Sequence, residues 1–344
     1  MPPPPTSGLA PEPGMGSDKA GSYTFVDRAT QYYLALVGIL VLCLHGRTVP
    51  FWPLYVSAHA AGIGLVHGLV RGHASHPQGR ILAFLRYFYP LLLLGPFYWE
   101  TGKLNHLIFS GFLDPQFIRL DGRLFGTQPS LIFMERLPYP AVSEVFYAAY
   151  FSYYLMIAGV ALALFLRSRA QFSHYVAVTA FIFYICYLVY IFVPVAGPLI
   201  LYRDIDGTSL PAEIRALAAP AFPAAIQAGP LFRLMAVVYY PFEAPGASFP
   251  SSHVAVAIVT VYFSFRYLRP IRWPHFAAMI LLCAATVYCR YHYLVDVVAG
   301  GLTAAALIPL GNRLYFKDRE LDGSSKAPTG ARERQRPSHC SDLV

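Results

Sequence analysis

Eight apolar stretches, each near the length that crosses a bilayer, decide what this 344-residue chain can fold into. They lie at about 31–46, 50–70, 81–99, 142–166, 174–197, 250–268, 274–290 and 293–312, the first and seventh being short. About 20 apolar residues in a helix span the roughly 30 Å hydrocarbon core. Lipid offers the backbone no hydrogen-bonding partners, and a helix needs none outside itself. The charge content agrees: 13% of residues are Asp, Glu, Lys or Arg, where a soluble domain carries about a quarter. The expected fold class is therefore all-α, a polytopic membrane protein of about eight transmembrane helices. Residues 1–24 are rich in Pro, Gly and Ser with no apolar centre. The expectation is that no cleavable leader precedes the first span, which serves as its own insertion signal.

Charge sets the orientation. Much of the net +8 falls in short turns and in the tail, a topology signal that argues against nucleic acid as a partner. The turns after the second, fourth and sixth stretches hold Arg71, Arg80, Arg167, Arg169, Arg266, Arg269 and Arg272, with no Asp or Glu. The positive-inside rule places these turns and both termini in the cytoplasm. Trp52, Trp99 and Trp273 stand at the ends of stretches, as aromatic belts require. The five cysteines include no Cys-x-x-Cys, so neither redox nor zinc chemistry is indicated.

The chain divides into four parts. Residues 1–30 are expected to be a disordered cytoplasmic segment, 31–80 two additional transmembrane helices, 81–315 a six-helix catalytic membrane domain, and 316–344 a disordered basic cytoplasmic tail. Within 112–137 an interfacial helix is expected, with Asp114 as cap and Pro115 at the first helical position. Leu113, Phe117, Leu120 and Leu124 would share one face, with Asp121 and Arg123 elsewhere. Packing on the bundle is the simpler reading of this helix, and a lid over a lipid site is the other.

Two polar knots interrupt the apolar pattern. Phe249-Pro250-Ser251-Ser252-His253 heads the sixth stretch, and Arg290, His292 and Asp296 head the eighth. The histidines are 39 residues apart (292 − 253), close to two crossings of about 20 residues each, with the arginine-rich turn at the midpoint. Both must then lie at the extracytoplasmic face. His292 and Asp296 are four apart, so on a helix they share a face. A carboxylate there fixes the imidazole tautomer and leaves the other nitrogen as nucleophile or base. Pro250 and the two serines open a helix whose free N–H groups and dipole favour an anion such as phosphate. His253 beside that anion is placed to protonate a leaving alkoxide. A lone histidine at a helix end reads as interfacial, but two at matched depth with a carboxylate read as catalytic.

These motifs resemble those of the type 2 phosphatidic acid phosphatase superfamily. The closest resemblance is to its inositol phosphorylceramide synthase branch, with Phe-Pro-Ser-x-His followed by His-Tyr-x-x-x-Asp. The resemblance implies a six-helix phosphatidic-acid-phosphatase-like bundle. It implies His292 as the nucleophile that forms a phosphohistidine, Asp296 as its orienting carboxylate, and His253 as general acid and base. It also implies chemistry without metal or cofactor, with membrane lipids as partners: a phospholipid donor, and a lipid alcohol or water as acceptor. No obligate protein partner is implied. Phosphatases of the superfamily carry Lys-x6-Arg-Pro at the end of an earlier span and an arginine six residues before the second histidine. Here the first region reads F-V-P-V-A-G-P-L-I-L-Y-R, and Thr286 occupies the second position. Both departures favour the transferase-like branch. The substrate phosphate is assigned to Ser251, Ser252, Arg290 and Arg203. A lipid phosphotransferase is thus the expected function. A lipid phosphate phosphatase using water is the alternative within the superfamily, and a non-catalytic lipid-binding or transport protein on the same fold the alternative outside it.

The remaining polar groups have plainer readings. Glu100 and Glu144 stand at outer span ends, where they read as interfacial residues or as contacts to a polar headgroup, and His59 and His67 lack the Glu motif of a metal pair. The tyrosine-rich segment 146–154 reads as core and aromatic belt.

Overall fold

A computed structural model describes residues 23–46, 48–201, 222–239 and 244–324. The helices of eight residues or more are α1 (Phe25–Leu44), α2 (Trp52–Ser75), α3 (Arg80–Leu104), the short α4 (Asp114–Phe125) and α5 (Pro129–Arg136), α6 (Pro140–Arg167), α7 (Arg169–Phe192), the short α8 (Pro230–Tyr239), α9 (Ser252–Tyr267), α10 (Arg272–Tyr288) and α11 (Leu294–Ser324). Seven of them, α1, α2, α3, α6, α7, α10 (with the 3-10 turn Arg269–Ile271 that leads into it) and α11, are long and apolar enough to cross a membrane. The protein is a multi-pass, all-helical integral membrane protein. Among the described residues the only β-type pairing is an isolated parallel bridge between Val195 and Ala247.

The remaining expected span, the sixth stretch, is present but shorter. α9 has 16 residues, about 24 Å at 1.5 Å per residue. Its start is set by Ser251, whose hydroxyl accepts from the Val254 N–H at 3.3 Å, and the chain before it is extended. Ser251 thus caps the helix, and Pro250 stands just before the cap.

α7 occupies the middle, in contact with α1, α3, α6, α9 and α11. It is apolar all round and buried along nearly its whole length, as a central helix must be. Leu36 and Ile39 of α1, Leu92 of α3, Leu162 and Leu166 of α6, and Leu302 and Leu310 of α11 point outward. Lipid is the solvent such a surface needs. The helix ends sort into two sides. On one, Arg167 donates to the Tyr267 carbonyl at 2.7 Å, His174 joins Tyr267 and Asn312, Arg86 pairs with Asp27, and Arg28 pairs with Asp318. The histidine motifs gather on the other.

Several boundaries differ from expectation. α7 runs from Arg169 and stops at Phe192 instead of 197, because Pro194 has no N–H to continue the ladder and drives Val193 out of the helical region. α1 begins inside the segment expected to be disordered, where the Thr24 N–H and hydroxyl both donate to Asp27 at 2.7 Å. α11 continues past 315 to Ser324, its charged residues paired by Arg28 with Asp318 and by Arg319 with the Tyr315 hydroxyl.

α4 departs most. Asp114 is its first residue and does not cap it, and its buried face is Asp114, Phe117, Ile118 and Asp121, at i, i+3, i+4 and i+7. Leu120 and Leu124, expected on that face, are exposed. The two aspartates were drawn inward because each meets backbone N–H groups that would otherwise be buried without partners.

Candidate active site

The site is assembled from three loops that α4 holds together. Asp114, wholly buried, accepts from the N–H groups of Ala196 and Gly197, each at 2.8 Å, and from the Tyr293 hydroxyl at 2.9 Å. Asp121 accepts from the N–H groups of Leu294 and Val295 at 3.1 and 2.9 Å, so it caps α11 from outside. Val195, next to the first of these contacts, exchanges backbone hydrogen bonds with Gly246 and Ser248 at 3.1 and 2.9 Å. Ser248 is thereby fixed relative to α4. Gly197 has φ +90, and a Cβ there would lie 2.6 Å from the Tyr291 carbonyl oxygen and 3.0 Å from the Ser248 hydroxyl. Only glycine fits so near the site loop.

The second loop, between α10 and α11, is tight. The N–H groups of Tyr291 and His292 both donate to the Thr286 carbonyl at 3.0 Å, and Arg290 has φ 63. A bulky residue in the left-handed region is uncommon. Here it reverses the chain so that His292 faces α9. The α11 and α9 starts are in direct backbone contact, with the Ser251 N–H donating to the Asp296 carbonyl at 3.0 Å. A Cβ on Gly300 would lie 2.5 Å from the Ser251 carbonyl oxygen.

Within this frame His253, His292 and Asp296 come together. The Ser248 hydroxyl donates to Asp296 Oδ2 at 2.7 Å, and His292 Nδ1 lies 3.0 Å from the same hydroxyl oxygen. The direct His292–Asp296 distance is 3.5 Å. The pair expected to face each other on one helix is therefore bridged by a serine, because His292 precedes the helix that carries Asp296. With its proton committed to the carboxylate, Ser248 accepts from His292 Nδ1–H, which assigns the tautomer. Asp296 also accepts from the Tyr293 N–H at 2.9 Å. His292 Nε2, left with its lone pair, faces His253 Nδ1 at 3.4 Å. Burial pushes the His292 imidazole down to about 3, a contact with Ser248 opposing the shift, which favours the neutral ring.

The residues assigned to phosphate are dispersed. Ser251 caps α9, and the Ser252 N–H donates to the Tyr190 hydroxyl at 3.2 Å. Arg290 is buried against α5, its guanidinium 3.6 Å from Glu135 and 3.4 Å from the Leu131 carbonyl, with the Phe222 ring 4.9 Å away. Arg203 lies outside the described residues. Glu144 accepts from the Leu231 N–H at 2.8 Å and so caps α8, and Glu100 lies 3.5 Å from His59. Among the described residues no three His, Cys, Asp or Glu side chains gather as a metal ion would require.

Beside the histidines opens an apolar chamber of about 830 Å³, walled by α3, α6, α7 and Val238 of α8. His253 and Ser252 are among its lining residues, and His292 is not. Residues 115–310, more than half of the chain, match the family model of the PAP2 superfamily. The chain belongs to the PAP2 superfamily. No curated protein and no solved structure matches it. As a PAP2 protein it is a membrane enzyme of the lipid phosphatase or phosphotransferase type. Sequence reading missed Ser248, Asp114 and Asp121 as parts of the site. Ser248 stands next to the Phe-Pro-Ser-Ser-His run but carries no spacing signal, and the aspartates act through backbone contacts that only the fold reveals.

Proposed function

We propose that the protein is a lipid phosphotransferase resembling inositol phosphorylceramide synthase. His292 Nε2 attacks the phosphorus of a phospholipid while His253 protonates the departing lipid alcohol. The phosphohistidine is then resolved by an acceptor hydroxyl that His253 deprotonates. The observation that carries this reading is the directed contact series from His253 through His292 and Ser248 to Asp296, which leaves one lone pair aimed at one donor. Since 3.4 Å separates His292 Nε2 from His253 Nδ1, substrate entry must part them. The chamber beside His253 supports a hydrocarbon-bearing alcohol as the group whose proton His253 handles. Water in place of that alcohol would make the enzyme a phosphatase.

Purified protein given headgroup-labelled phosphatidylinositol or labelled phosphatidic acid, with and without ceramide, tests the reading. A new labelled lipid that forms only with ceramide is expected. Release of water-soluble phosphate alone assigns the phosphatase reaction, and no turnover of any lipid rejects both.

The site is further proposed to face away from the cytoplasm, because the seven arginines lie in turns at the opposite helix ends. Ser110, on the histidine side, and Arg269, in an arginine turn, are both exposed. In a cysteine-free background, an impermeant maleimide on intact cells should label Ser110→Cys and spare Arg269→Cys. The reverse pattern places the site in the cytoplasm.

A further inference from the structure

The nitrogen of His253 turned away from His292 is held as closely as the one turned toward it. Its Nε2 lies 2.9 Å from the hydroxyl of Tyr150 in α6. Tyr150 is wholly buried and stacks on Tyr291, with ring centroids 4.3 Å apart. The His253 ring packs against Tyr150 and Tyr153 at centroid distances of 4.9 and 4.4 Å. We propose that Tyr150 is the positioning residue of the general acid and base. It fixes the His253 ring with Nδ1 toward the phosphorus and accommodates each protonation state of Nε2. This inference rests on the phosphotransfer reading above.

A phenol hydroxyl both donates and accepts, which is what the cycle requires. At rest, Nδ1 of His253 carries the proton that faces the His292 lone pair, so Nε2 is the acceptor and Tyr150 donates to it. With an anionic substrate and one further proton bound, His253 is an imidazolium, and its Nε2–H donates to Tyr150. In the first step the His292 Nε2 lone pair forms the N–P bond as the P–O bond breaks. The leaving oxygen keeps that electron pair and takes the Nδ1 proton. His253 is then neutral with its proton on Nε2, and its Nδ1 lone pair is ready as a base. In the second step the acceptor hydroxyl gives its proton to Nδ1 while its oxygen forms a P–O bond and the N–P electron pair returns to His292. Tyr150 gains and loses no proton. Its O–H rotates between the two roles and prevents a ring flip that would turn Nε2 to the substrate.

Tyr150→Phe keeps the ring and its stacking but removes the hydroxyl. The test compares dioctanoyl phosphatidic acid, whose leaving alkoxide needs a proton, with para-nitrophenyl phosphate, whose leaving group does not. A positioned general acid supplies about 10²–10⁴-fold, and misorienting it should forfeit roughly 10–100-fold of this on phosphatidic acid. With both substrates read in the first turnover, before His253 is needed as a base, the loss of para-nitrophenol release should stay below about 3-fold, because that step draws little on the acid. The acid limb of the pH–rate profile should move only for phosphatidic acid. Equal loss on both substrates means a structural role and overturns the proposal, as does no loss on either. A wild-type protein that turns over neither substrate, and no phosphatidylinositol when ceramide is present, overturns the phosphotransfer reading itself, and this inference falls with it.

Discussion

His292→Ala is expected to reduce phosphoryl transfer to background. The proposed reaction runs through a bond to Nε2 of this residue, and no described side chain stands where it could replace that nitrogen. His253 Nδ1 lies on the far side of the gap, and the Ser248 hydroxyl has its proton committed to Asp296. Removing a nucleophile of such a constellation costs about 10⁶-fold in kcat in a well-studied hydrolase. The fold should survive, because the ties that shape the loop are backbone ones: the Tyr291 and His292 N–H groups to Thr286, and Leu294 and Val295 to Asp121. Turnover of labelled phospholipid by purified variant and wild type at equal amounts checks this. Activity within tenfold of wild type would remove His292 from the mechanism, and it would favour the non-catalytic reading of its neighbours.

Asp296→Asn should have the next largest effect, for a directional reason. The carboxylate only accepts, so Ser248 must donate to it and must accept from His292. An asparagine that turns its NH₂ group toward Ser248 donates instead. The serine proton then points at His292 Nδ1, the ring proton shifts to Nε2, and the attacking lone pair is lost. Reversal of this kind in a serine-protease triad costs about 10⁴-fold, and a fall of roughly 10³–10⁴-fold in kcat is expected here. Ser248→Ala should cost less than Asp296→Asn, because the carboxylate remains 3.5 Å from Nδ1 and can still select the tautomer. An Asp296→Asn enzyme as active as Ser248→Ala would show that the serine, not the carboxylate, sets the direction.

The membrane class, the two-sided arrangement of the helix ends and the meeting of His253 with His292 were legible in the sequence because they follow from length. Two crossings of fixed rise bring residues 39 apart to one depth, whatever the side chains between them. The local geometry was not legible. Four-residue spacing implied a shared helix face for His292 and Asp296, but the turn through Arg290 ends before the helix begins, so a serine from a different loop fills the gap. The face of α4 was misjudged because hydrophobicity was read as burial. Asp114 and Asp121 are buried through what they bond, which is loop backbone from distant parts of the chain. Tyr150 sat among so many tyrosines that nothing in the sequence separated it from the aromatic belt.

The phosphoenzyme itself can be trapped. Wild-type protein mixed with phospholipid carrying ³²P at the phosphate, then quenched in alkali within the first turnover and digested, should yield one labelled peptide with the phosphate on His292. The label should resist alkali, be lost in acid, disappear in His292→Ala, and leave the protein when an acceptor alcohol is added before the quench. Product formation without a labelled enzyme at any time before the first turnover is complete, or label carried by a serine, would contradict transfer through His292.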